Sequence, residues 1–166
     1  MSACGGSQIE RAAKASNTVA QYTGEAIQIV ADLFKANAIN LETKDKLADL
    51  LIKFSKGGKE FNDLVTTVHN QFKSGVVPAN NWAQITAQFN QLITMFLQIV
   101  DVIPQAAGLA NSKAFKTITA AVLAISQILM QMAGIPRPIQ LTARNAFNEI
   151  NRRIARCGIS LAGVEI

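Results

Sequence analysis

Apolar and small side chains recur at alternating intervals of three and four residues through five successive stretches of the chain. The first runs Ile9, Ala12, Ser16, Val19, Thr23, Ala26, Val30 and Leu33, the seam of a helix that packs on its neighbours in coiled-coil fashion. It ends near Ala36, and Asn40 is placed to cap the next helix, because a short side-chain oxygen there accepts from an otherwise unpaired backbone N–H. The second seam is Leu47, Leu51, Phe54, Gly58, Phe61, Val65, Val68 and Phe72. A third follows at Trp82, Ile85, Phe89, Leu92, Phe96, Ile99 and Ile103, and a fourth at Phe115, Ile118, Val122, Ile125, Leu129 and Met132. The fifth, from about Gln140 to Cys157, sets Ala143, Phe147, Ile150 and Ile154 opposite Arg144, Arg152 and Arg156, with Gly158 as its C-cap.

Breakers punctuate these stretches: Gly75 with Pro78, Pro104 with Gly108, then Gly134 with Pro136 and Pro138. The intervals between them are short, so consecutive helices lie antiparallel. The pattern predicts an all-α fold, an up-down four-helix bundle with a short basic fifth helix at the C-terminus laid across an end or a side. Residues 8–166 form one domain. Residues 1–7, small and with nothing to pack, are expected to be a flexible lead. The doublet Gly57-Gly58 interrupts the second seam, where each glycine costs about 1 kcal/mol of helix stability. Either the helix kinks there or a neighbouring backbone comes close, and Gly57 and Gly58 are hinge candidates.

Composition supports the helical reading. Hydrophobic residues make up 49% of the 166 residues but aromatics only 6%, whereas strands draw on aromatic and β-branched residues in alternation. A chain of this length buries a core without staples, and Cys4 and Cys157, near opposite ends, are too few for a disulfide framework or a zinc site. The net charge of +5 lies entirely in the last third: residues 1–103 hold equal numbers of basic and acidic side chains, and every arginine but Arg11 falls at or beyond Arg137.

The chemistry-bearing residues are sparse. One histidine, His69, makes no metal pair and reads as a boundary residue on the second helix. The two glycine doublets lack the Lys-Ser/Thr that a phosphate loop needs. No catalytic residue, metal ligand, cofactor or small-molecule substrate is inferred, and the chain reads as non-enzymatic. Arg144, Arg152, Arg153 and Arg156 are candidates for contact with an anionic partner, either an acidic protein or an anionic membrane surface, with nucleic acid less favoured because no aromatic residues interleave for base stacking. Asp101 is the only ionisable side chain from Ser74 to Ser112; the sequence names no partner for it, and it is expected to be exposed. The uncharged runs around it and at Thr117–Pro136 are long enough to span a bilayer, but glutamines and asparagines keep a polar side on both. They read as central bundle helices whose bare outer faces point to self-association or a protein partner.

Ser2-Ala3-Cys4-Gly5 resembles the end of a bacterial lipoprotein signal, in which small residues precede a cysteine that is lipidated after cleavage. The resemblance covers these four residues only. It implies that Cys4 carries acyl chains, each buried methylene adding about 0.8 kcal/mol of membrane affinity, and that a basic and apolar leader precedes Met1. The expected function is a structural or partner-binding bundle anchored in the cell envelope. The alternative is an untethered, cytoplasmic bundle that self-assembles or meets membranes through its uncharged helices.

Overall fold

The computed structural model describes residues 4–72, 77–132 and 139–164, with side chains described from 8 in the first stretch and from 144 in the last. Its helices are α1 (Cys4–Lys35), α2 (Leu41–Gln71), α3 (Ala79–Val102), a one-turn α4 (Ala107–Ala110) preceded by a 3-10 turn at Ile103–Gln105, α5 (Lys113–Met132) and α6 (Ile139–Cys157). The protein is an all-helical bundle, with α1, α2, α3 and α5 as its four main helices and α6 as the fifth.

The seams read from the sequence are the buried stripes. Every seam residue from Ile9 to Val30 on α1 and from Leu47 to Val68 on α2 is buried, as are all seven on α3 and all six on α5. Local signals set the ends. The Asn40 side chain accepts from the Thr43 N–H at 2.8 Å, and the Ser112 hydroxyl accepts from the Phe115 N–H at 3.1 Å at the start of α5. Past α6, Gly158 takes φ +70°, the left-handed conformation that a helix C-cap favours. α1 begins at Cys4, four residues ahead of the expected start at Gln8. The breaks expected at Gly75 and from Gly134 to Pro138 lie outside the described residues.

Cross-helix contacts fix the topology. Asn62 on α2 donates to the Ala13 carbonyl at 2.9 Å and to the Ser16 hydroxyl at 3.0 Å, while Lys44 lies over the Phe34 ring, so α1 and α2 are antiparallel. Phe54 meets Phe96 at 5.7 Å and Phe61 meets Phe89 at 5.9 Å, giving the same sense between α2 and α3. Phe96 also stacks on Phe115 of α5 at 6.0 Å. At one end of the bundle the Thr43 hydroxyl bonds the Gln105 side chain at 3.1 Å, and Gly108 admits Leu33, whose Cδ2 would sit 2.6 Å from any Cβ added there.

Of the two placements expected for the fifth helix, an end or a side, the structure shows the side: α6 packs on both α3 and α5, so the order around the bundle is α1, α2, α3, α6, α5. Ile150 and Ile154 are buried there, and Phe147 is half-buried. Flanked by α1 on one side and α6 on the other, α5 buries well over half of its residues, including Thr117, Thr119, Ala121, Ser126 and Ile128 beyond its seam. Lys113–Met132 is, among the described residues, long and apolar enough to cross a membrane, and 67% of its apolar window is buried against the other helices. That is the signature of a core helix.

α2 runs unbroken through Gly57 and Gly58, both buried. Side chains, rather than a neighbouring backbone, occupy the space beside them: a Cβ on Gly57 would lie 2.5 Å from the Met95 methyl, and one on Gly58 would lie 3.4 Å from Val19. Gly24, exposed on α1, has nothing within 4 Å of the corresponding position. Gly24→Ala is therefore expected to raise stability by about 1 kcal/mol through helix propensity, and Gly57→Ala by clearly less, since the Met95 tip must move. Urea denaturation of the two variants checks this; equal gains would contradict the packing at Gly57.

Candidate functional site

Chemistry-bearing side chains converge where the C-terminal half of α6 meets the last turns of α3. Asp101 stands near the C-terminus of α3, where a carboxylate faces the negative end of the helix dipole. Its compensation comes from a residue far along the chain. Arg153 donates through one guanidinium nitrogen to both Asp101 oxygens, at 2.9 and 3.0 Å, and the same nitrogen lies 3.4 Å from the Leu97 carbonyl. Through Nε it donates to Glu149 at 2.7 Å. Arg152 closes the cluster with an ion pair to the other Glu149 oxygen. Asp101 is exposed, as expected, and the partner that the sequence could not name is Arg153. No spacing in the sequence joins positions so far apart; helical packing does.

The four arginines expected to meet an anion thus fall into two sets. Arg152 and Arg153 are engaged with Glu149 and Asp101, whereas Arg144 and Arg156 are exposed on α6 and form no ion pair among the described residues. Asn145, Asn148 and Asn151 share the exposed side of α6. Glu149 has its carboxyl held below the ordinary value of 4.5, first by the hydrogen bond from Arg153; partial desolvation opposes this, and the charges of Arg152 and Arg153 add to it.

Cys157 is a free thiol at the same junction, half-buried and 3.9 Å from the Val100 carbonyl. Burial pushes its pKa up, Arg156 pulls it down and Asp101 raises it again. The thiol therefore stays protonated near neutral pH, and only the thiolate is a strong nucleophile. Cys157 lies at the C-terminus of α6 and Cys4 at the start of α1; the Cys4 side chain lies outside the described residues. His69 is half-buried on α2, with its Nδ1 buried and unbonded among the described residues. Among the described residues, no three His, Cys, Asp or Glu side chains gather as a metal site.

Beside this cluster the outer face of α3 carries no charge. Ala83, Gln84, Ala87, Gln91, Thr94 and Gln98 are all exposed, and the next ionisable residue is Asp101. On the other flank α2 exposes Lys53, Lys56, Lys59, Glu60 and Asp63. A bare amide-rich strip of about 23 Å, at 1.5 Å per residue, is bounded by a mixed-charge helix on one side and by the asparagines and arginines of α6 on the other.

Arg153 is partly shielded, with 25% of its side chain exposed, but Asp101 is 64% exposed. The pair is consequently expected to contribute at most about 1 kcal/mol. A double-mutant cycle of Asp101→Asn and Arg153→Gln should return a coupling of that size that shrinks with added salt; zero coupling at low salt would contradict the clamp. Glu149 gives a pH signature. Its folded pKa is depressed, so its stabilisation is full above the ordinary carboxylate range and is lost as pH falls through the folded value. Wild type and Glu149→Gln should differ by a constant amount above about pH 4.5 and converge below it, as followed by chemical denaturation at several pH values.

No protein-family model, curated protein or solved structure matches this chain.

Proposed function

We propose that this protein is a non-enzymatic helical bundle with a structural or partner-binding role, working through the uncharged outer face of α3, and that it is held in the bacterial cell envelope by lipid on Cys4. The observation that carries the binding role is the strip from Ala83 to Gln98, exposed and without charge on a protein of net charge +5. The cores of protein interfaces are depleted in charged residues. Small alanines at Ala83 and Ala87 admit another backbone closely, and the amides of Gln84, Gln91 and Gln98 each supply donors and an acceptor. The face is open to a protein partner or to a second copy, because it presents no like charges to repel one.

The envelope location rests on the resemblance of Ser2-Ala3-Cys4-Gly5 to a lipoprotein cleavage site. Cys4 opens α1 at the end of the bundle opposite the α1–α2 turn. A tether there would stand the bundle on its end and leave the length of α3 accessible. Docking of α6 on nucleic acid is less favoured, since Arg152 and Arg153 already have carboxylate partners.

One experiment on the protein expressed from its natural locus tests both parts. Growth with labelled palmitate is expected to label the wild type and not Cys4→Ser; an unmodified Cys4 in the mature protein rejects the tether. Cross-linking in the same cells is expected to give a discrete complex that Ala87→Glu abolishes while the bundle stays folded by circular dichroism. Complexes unchanged by Ala87→Glu reject the α3 face.

A further inference from the structure

A cleft of about 420 Å3 opens between α1, the start of α5 and the C-terminal segment. The segment is anchored by Ile159, buried, and Leu161, packed on the core. Beyond Leu161 the chain turns back: the Val164 N–H bonds the Leu161 carbonyl at 3.1 Å, and Gly163 takes φ +80°, a conformation that glycine adopts without strain. This turn lays Ala162, Gly163 and Val164 along one wall.

The opposite walls carry polar groups of one kind. Lys113 and Lys116, three residues apart on α5, line the cleft together, a spacing that puts their Cβ atoms about 5–6 Å apart. Tyr22 of α1, half-buried and packed on the core, and Asn111, just before α5, complete it. Among the described residues, neither lysine pairs with a carboxylate, and neither the Tyr22 hydroxyl nor the Asn111 side-chain amide has a hydrogen-bond partner. Glu25, one turn beyond Tyr22, is exposed and pairs with neither lysine. The first turn of α5 adds the positive end of its dipole. Two lysines on adjacent turns of one cleft wall place like charges near each other, and a dianion bound there compensates both.

We infer that this cleft binds a phosphomonoester. Such a group carries about −1.5 to −2 charge at neutral pH and three acceptor oxygens, matching two lysines as counter-charges with Tyr22 and Asn111 as neutral donors. The volume falls within the range of small-ligand sites, about 300–1,000 Å3, so it holds the phosphoryl group together with part of the molecule bearing it. The same chemistry occurs in a soluble phosphomonoester and in the head of phosphatidic acid.

The test titrates the isotopically labelled full chain with phenyl phosphate, followed by two-dimensional NMR. Saturating shifts confined to Tyr22, Asn111 to Lys116 and Ala162 to Val164 are expected. Lys113→Gln with Lys116→Gln should weaken binding at least about tenfold, the scale of one lost charged hydrogen bond, while Lys53→Gln with Lys56→Gln should leave it unchanged. Both pairs are on the surface, and circular dichroism verifies folding. Vesicles containing phosphatidic acid or, at matched charge, phosphatidylglycerol separate the sources. Binding selective for phosphatidic acid and dependent on Lys113 and Lys116 assigns a lipid head, and binding of phenyl phosphate alone assigns a soluble ligand. Shifts scattered over α2 and α6, affinity unaltered in the cleft variant, or no saturable binding of either probe overturns the site.

Discussion

Phe96 is the contact on which the rest of the bundle depends. It meets Phe54 of α2 on one side and stacks on Phe115 of α5 on the other, with all three rings buried. One side chain thus joins three helices that are far apart along the chain. Removing a buried phenylalanine typically costs about 3–5 kcal/mol, a large part of the roughly 5–15 kcal/mol that holds a domain folded. The aromatic contact links α3 to α5 near the end where the turn and α4 connect them, and the C-terminal half of α6 packs on α3 at that same end, with Arg153 on Asp101 and Cys157 3.9 Å from the Val100 carbonyl.

Insertion of α6 has consequences for the surface. It brings Arg153, which also holds Glu149, against Asp101, the one charged residue of α3. It also turns the exposed asparagines of α6 outward beside the amides of α3. The bare strip and the ion cluster are two results of one packing event, and the strip stays flanked by charge without being interrupted by it. On the far side of α5, the segment after α6 returns over the start of α5 and makes the wall of the lysine-lined cleft.

The fold was largely legible because the signals that set it are local. Three-four spacing marks buried stripes wherever helices pack side by side, and Asn40 and Ser112 mark helix starts through hydrogen bonds only two or three residues long. The spacing also placed Phe54, Phe96 and Phe115 inside, though not against one another. Three features depended on which helices become neighbours. Thr117, Thr119, Ser126 and Ile128 are buried beyond the seam because α5 has α1 on one side and α6 on the other, and a single seam carries no information about a second neighbour. The Arg153–Asp101 pair spans 52 residues of sequence. The cleft at Lys113 and Lys116 needs the C-terminal turn at Gly163, whose position relative to α5 no periodicity encodes. The Gly57-Gly58 doublet marked close packing without saying that the Met95 tip supplies it.

The central claim is that α6 belongs to the core and builds the surface beside α3, and native-state hydrogen exchange tests it most directly. Amides of α6 between Ile150 and Ile154 should exchange with the same free energy and denaturant dependence as those of α3 between Leu92 and Phe96, opening only with the whole bundle. Exchange of α6 at a much lower free energy, with α1, α2, α3 and α5 still protected, would show it to be an appendage and would remove the basis for the composite α3–α6 face.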